Sequence, residues 1–268
     1  PGVEALVMGI INLSPDSFYG ESRCKTVEQA LSTAETMLEE GAGILDIGAE
    51  SSRPGSVPIS AQEEIDRLLP VLIKLVEVVN LPISVDTYKP KVAHEVLKAG
   101  ASIINDITGL QRSEEMAQVI SQFHAGVILM HMQGSPESMQ QHPKYEDVVT
   151  EVFGYLQKSL AIAVSAGIDP EKIAIDPGIG FGKTDAHNLL ILKNLSRLNE
   201  LSKPVLLGVS RKSLIGNILN LPVEERLEGS LAATVFGLTQ GVSIIRTHDV
   251  RATLRAVKVA EAILKEEI

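Results

Sequence analysis

Short apolar runs rich in β-branched residues alternate along this chain with longer amphipathic stretches. The runs at 6–11, 44–47, 83–86, 102–105, 127–131, 173–176, 205–208 and 243–246 are apolar on both faces, the pattern of parallel strands covered on two sides. Helical periodicity fills the intervals and predicts helices at 27–40, 61–79, 90–99, 113–123, 145–166, 187–201, 223–240 and 250–265. In the first of these, Ala30, Ala34, Met37 and Leu38 share one side, and Gly41 supplies a stop. Eight strand–helix alternations predict an α/β fold, a (β/α)₈ TIM barrel, with a doubly wound open sheet as the alternative. The 268 residues are close to the about 250 that one such barrel takes, and no linker or repeat interrupts them. The expectation is one domain over 1–268.

The polar residues gather where the predicted strands end. Asn12 follows the first strand, and Glu50, Ser51, Ser52 and Arg53 follow the second. Asp86, Asn105 with Asp106, His131 and Asp176 end the next four. Ser210-Arg211-Lys212-Ser213 follows the seventh, and Arg246 and His248 close the eighth. In a barrel these ends meet at one mouth, where such enzymes hold their chemistry. Each alone could equally cap a helix or anchor a turn.

Charge changes this picture in one respect. The net charge of −10 disfavours a binder of nucleic acid or anionic membrane, which needs a basic surface. Arg53, Lys212, Arg246 and His248 could nevertheless form a local cationic cluster suited to phosphate oxygens. Ion pairing with Glu50, Asp106 and Asp249 explains the same charges equally well. Asp86, Asn105 and Asp176 together suit the N–H and carbonyl edge of a flat nitrogen heterocycle. The stretch Pro177–Thr184 imitates a phosphate loop but has Pro177 where the first glycine must stand. It reads better as a glycine-rich turn admitting a ring close to the backbone. Phe18 and Phe181 lie in loop-like stretches, where stacking on a ring and plain loop packing are both open.

The lone cysteine, Cys24, rules out an internal disulfide and suits a reducing compartment, so cytoplasmic action is expected. No apolar run reaches the roughly 20 residues of a membrane span. No signal peptide is visible, although Pro1 in place of methionine leaves room for a leader ahead of it.

These residues together resemble the dihydropteroate synthases. Met8-Gly9-Ile10-Ile11-Asn12-Leu13-Ser14-Pro15-Asp16-Ser17-Phe18 is similar to the family's first signature, and Asp46-Ile47-Gly48-Ala49-Glu50-Ser51-Ser52-Arg53-Pro54-Gly55 to its second. Ser84-Val85-Asp86-Thr87, Ile104-Asn105-Asp106-Ile107, Asp176-Pro177-Gly178-Ile179-Gly180-Phe181, Ser210-Arg211-Lys212-Ser213 and Arg246-Thr247-His248-Asp249 follow in family order. The resemblance implies a barrel, usually a homodimer, that joins a dihydropterin carrying a hydroxymethyl diphosphate to p-aminobenzoate with Mg²⁺ assisting. By motif it places the pterin on Asp86, Asn105, Met130, Asp176, Phe181 and Lys212. It places the diphosphate on Asn12, Arg246 and His248, with Asn12 also at the metal. Phe18, Ser52, Arg53, Pro54, Lys212 and Ser213 would shape the p-aminobenzoate site. Asp86, Lys212, Arg246 and His248 would carry the catalysis. Sulfonamides, which mimic p-aminobenzoate, are expected to bind.

Two departures stand out. Tyr19-Gly20-Glu21-Ser22 replaces the family's usual Ser-Asp-Gly-Gly, and Ala49 and Ser52 replace a glycine and a threonine. Rival readings are a pterin-binding methyltransferase acting on a corrinoid protein, an aldolase using Lys212 as a Schiff base, and a non-catalytic pterin-binding barrel. The methyltransferase has no evident use for Ser52-Arg53-Pro54 or for Ser210–Ser213. The aldolase would need Lys212 in an apolar pocket.

Overall fold

The computed structural model describes residues 4–13, 24, 26–51 and 56–266. Among them, β1 (Leu6–Asn12), β2 (Ile44–Gly48), β3 (Ile83–Asp86), β4 (Ile103–Asp106), β5 (Gly126–Met130), β6 (Ile173–Asp176), β7 (Leu206–Leu207) and β8 (Ile244–Thr247) form one parallel sheet. Its order is β6-β5-β4-β3-β2-β1-β8-β7, and the bridge between Ile175 and Val205 brings β7 back against β6. The sheet therefore curls into the expected barrel rather than the open doubly wound alternative.

Strand alternation divides the side chains into two layers. Val7, Ile11, Leu45, Ile47, Val85, Ile104, Leu129, Ile175, Leu207 and Ile245 point outward and share one core with the helices. Met8, Ile44, Ile128, Ala174, Leu206 and Ile244 point inward and fill the lower half of the barrel as a separate apolar plug. Farther along the same inward rows stand Asp46, Ser84, Asp86, Asn105, Asp176 and Arg246. The apolar character on both faces thus holds for the lower half alone. Above the plug the inner face turns polar.

The helices are α1 (Val27–Glu39), α2 (Ala61–Val78), α3 (Pro90–Lys98), α4 (Glu114–Gln122), α5 (Val148–Ser165), α6 (Asp185–Lys193), α7 (Ser213–Leu219), α8 (Leu227–Thr239) and α9 (Val250–Lys265). Side chains of Thr26, Ser60 and Asp147 accept backbone N–H groups at the starts of α1, α2 and α5, satisfying donors that a helix start leaves open. α1 ends at Gly41, whose φ of 92° is strained for any residue with a Cβ.

Two helical expectations are revised and one helix is added. The helix expected over 187–201 stops at Lys193 and continues as a 3₁₀ stretch, Leu195–Leu201. Asn194 breaks it, donating its side-chain amide to the Leu190 carbonyl at 2.7 Å in competition with the backbone. The helix expected over 223–240 begins as a 3₁₀ turn, Val223–Glu225, and becomes α-helical only at Leu227. The seven-residue α7 was not expected and ends at Asn220 with φ 54°. Among the described residues, no helix is long and apolar enough to cross a membrane.

Candidate active site

The polar inner layer forms a cup above the plug. Register places Asp46 beside Ser84, Asp86 beside Asn105, and Met130 beside Asp176. Arg246 reaches across from β8. Its Nε lies 2.6 Å from Asp46 Oδ2, and its Nη2 lies 3.3 Å from Asp86 Oδ2. Asn105 Nδ2 donates to the same Asp46 oxygen at 3.3 Å. One guanidinium therefore sits between two carboxyl groups, and Asp46, at 0% exposure, anchors the network from below. The ionic partners of Arg246 are Asp46 and Asp86, not the acidic residues expected from the loops.

Among the described residues, Asp46 Oδ1, Ser84 Oγ and Asn105 Oδ1 are buried and have no hydrogen-bond partner. Unmet polar atoms in a protein interior cost about 1–3 kcal/mol each. Three on adjacent strands gather that cost at the floor of the cup.

Burial sets the electrostatics. It pushes the Asp86 carboxyl up to about 7, with Arg246 opposing and Asp46 adding to the rise. Burial also raises Asp176, against the pull of Lys212 and of the Gly178 N–H it accepts at 2.7 Å. Lys212 is lowered to about 8, chiefly by burial, with Asp176 opposing and Arg246 adding to the fall. For Arg246, burial works downward and is outweighed by Asp46 and Asp86, which keep the guanidinium charged. Carboxyl groups and an amine with pKa values brought near neutrality within one cup mark a site of chemistry.

The remaining expected residues fall around this cup. Lys212 donates to the Ile179 carbonyl and lies 4.9 Å from the centre of the Phe181 ring. As a residue it is half-buried, less covered than Arg211 beside it. Phe181 is half-buried and packs with Met130, Met132 and Met139. His248 exchanges two contacts with Ser210: Nδ1 at 2.9 Å and its backbone N–H at 3.2 Å. Arg211, with φ 54°, turns away to grip Asp249 with two nitrogens and the carbonyls of Val223 and Glu224. Ser213 is exposed at the start of α7. Asn12 is half-buried at the end of β1, paired with Gly48. Phe18, Ser52, Arg53 and Pro54 lie outside the described residues.

Residues 8–248 match the family model of pterin binding enzymes. Across 96% of its length the chain is 44% identical to the dihydropteroate synthase of Escherichia coli strain K12, covering 91% of that protein. This chain belongs to the dihydropteroate synthase family. A dihydropteroate synthase from Yersinia pestis, crystallised with a sulfonamide drug complex, superposes with a TM-score of 0.93 at 43% identity, covering 98% of this chain and 95% of that one. The Xanthomonas albilineans dihydropteroate synthase with 4-aminobenzoic acid gives 0.89 at 42% identity, covering 97% and 93%.

Two further strand-end residues of this dihydropteroate synthase, Glu50 and His131, are engaged by protein neighbours. The Glu50 carboxylate accepts from Tyr88 Oη at 2.6 Å, from the Ile59 N–H at 2.9 Å and from Lys89 Nζ. His131 meets the buried amine of Lys183. Sequence reasoning missed Asp46 and Ser84. Their signal was a polar side chain on an inward row of an otherwise apolar strand.

Proposed function

We infer that this chain acts in folate biosynthesis as a dihydropteroate synthase, joining (7,8-dihydropterin-6-yl)methyl diphosphate to p-aminobenzoate with release of diphosphate. The observation that carries the residue assignment is the convergence of Asp86, Asn105, Asp176 and Lys212 on one cup that also holds Arg246. The pterin ring's donors meet Asp86, Asp176 and Asn105 Oδ1, and its acceptor side meets Lys212, with Met130 and Phe181 against its faces. Asn12, Arg246 and His248 take the diphosphate.

The C–O bond to diphosphate breaks with its electron pair going to oxygen, leaving a cation spread over the pterin. Two carboxyl groups against one guanidinium place negative potential below that cation once Asp86 is ionised. The arylamine nitrogen then forms the C–N bond and gives up a proton. Phe18, Ser52, Arg53 and Pro54, with Lys212 and Ser213, make up the p-aminobenzoate half of the proposal.

Mg²⁺ is part of this reading. Magnesium keeps several waters and sits on one or two protein oxygens plus substrate phosphates, so an amide oxygen such as that of Asn12 suits it without a protein cage. Bound there, it would supply neutralising charge for the departing diphosphate. Product assays with and without Mg²⁺ test the whole: one dihydropteroate and one diphosphate appear per turn, and chelation slows the reaction. A folded protein that binds the dihydropterin diphosphate yet makes no product would sink the synthase reading.

The active form is proposed to be a cytoplasmic homodimer of single-domain subunits. Leu189 (48% exposed), Ile218 (59%), Leu219 (45%) and Phe236 (44%) line one apolar groove on α6, α7 and α8, a surface suited to a second copy. Ile218→Glu is expected to halve the mass seen by sedimentation at micromolar concentration. A wild-type chain that sediments as a monomer there overturns the assignment.

A further inference from the structure

The loop between β6 and α6 carries Phe181, and five of its carbonyls accept from side chains. Lys183 Nζ, 2% exposed as a residue, takes Gly178 O at 2.8 Å and Phe181 O at 2.9 Å. Lys212 Nζ takes Ile179 O. Gln140 Nε2 takes Gly180 O at 2.7 Å, and Tyr145 Oη takes Gly182 O at 2.8 Å. Five consecutive carbonyls are thus met by four side chains, and one amine holds two of them.

Lys183 Nζ also meets His131 Nδ1 at 2.8 Å and the His131 carbonyl at 3.4 Å, so four neighbours surround the amine. Burial, with Lys183 beside it, pushes His131 down to about 2, so its imidazole is neutral, and burial likewise lowers the Lys183 amine well below its ordinary value, with Asp176 opposing. The ring is wedged edge-on against Tyr155, 4.7 Å between centres, and Tyr155 Oη is tied to Thr108 O at 2.6 Å. The loop is also pressed onto this support. A Cβ at Gly178 would collide with the His131 carbonyl.

We propose that Lys183 is a positioning residue for the pterin half-site: by holding Gly178 O and Phe181 O it sets the Phe181 ring and, through Ile179, the Lys212 amine. The inference rests on the synthase reading above. Lys183 acts on the substrate through Phe181 and Lys212, and its pull on the Asp176 carboxyl is a third route to the same half-site. Removing it leaves Gly178 O with the Phe181 N–H alone, at 3.1 Å, and takes the side-chain donor from Phe181 O, so the loop regains freedom there.

The test is titration of the full-length chain with the dihydropterin diphosphate in Mg²⁺ buffer, alongside steady-state kinetics. Lys183→Met is expected to weaken dihydropterin binding about tenfold or more, the scale of lost buried hydrogen bonds. The KM for p-aminobenzoate at saturating dihydropterin should move clearly less than the dihydropterin affinity, because of the p-aminobenzoate residues only Lys212 is reached through this loop, whereas a general loss of structure would affect both alike. A folded Lys183→Met chain that binds the dihydropterin normally, or loses both substrates equally, overturns the proposal. If that variant does not fold, His131→Gln and His131→Leu decide. Glutamine keeps an acceptor for Lys183, so it should preserve dihydropterin affinity better than leucine, and equal losses refute the role. Failure of the unaltered chain to bind the dihydropterin would instead strike the synthase reading itself.

Discussion

Asp86→Asn is expected to lower kcat about 10²- to 10³-fold, the usual scale for losing one preorganised electrostatic partner of a transition state. It should also remove the acidic limb of the pH profile. Burial raises the Asp86 carboxyl to about 7, with Arg246 opposing, so below that pH the group is protonated and adds no negative potential under the cation. Activity should therefore climb as pH rises through about 7. Burial lowers Lys212 to about 8, so activity should decline as pH rises past it and the amine loses its charge. The wild-type profile of kcat/KM is then a narrow bell whose apparent limbs belong to the coupled cluster. In Asp86→Asn the alkaline limb stays and the acidic one goes. An acidic limb that survives the substitution assigns it to another group and removes Asp86 from the cation-stabilising role.

The second large effect is on stability. Asp46→Leu should cost about 3 kcal/mol, the lower end for removing one partner of a buried ion pair, because Arg246 keeps Asp86 at 3.3 Å. The stranded guanidinium is the source of the cost. Arg246→Leu in the same chain should therefore return part of the loss, although it abolishes the diphosphate contact. Urea unfolding of the two singles and the double gives the coupling directly. A single Asp46→Leu variant within about 1 kcal/mol of wild type would show that the pair contributes little to the fold.

These two residues also mark what a reader of the sequence could and could not see. Asp86 ends a short apolar run, and its place at the barrel mouth follows from strand–helix alternation alone. Asp46 stands inside a run, Ile44-Leu45-Asp46-Ile47-Gly48, where burial on both faces argues for an apolar residue. Its meaning depends on a partner 200 positions away, Arg246, and nothing local points there. Lys183 was hidden for a different cause. A lysine after Gly178-Ile179-Gly180-Phe181-Gly182 reads as solvated, since the long side chain rarely surrenders its ammonium group to the interior. What draws it in is a set of backbone carbonyls, which carry no sequence signature. The strands were legible because their outward rows are uniformly apolar. α7 was not, since seven residues give two turns and no sustained period. The 187–201 stretch was continuous in pattern, and only the side-chain habit of Asn194 ended its helix early.

The plug of Met8, Ile44, Ile128, Ala174, Leu206 and Ile244 has a kinetic corollary. A cup closed at its base has a single doorway, so everything that reacts there enters and leaves by the same route. On the proposed reading the dihydropterin lies deepest, against Asp86 and Asn105, and the aromatic amine sits nearer the rim. The traffic is then a queue: the dihydropterin must arrive first, the diphosphate must clear the rim before the joined product can pass, and an occupant of the outer seat traps whatever lies behind it.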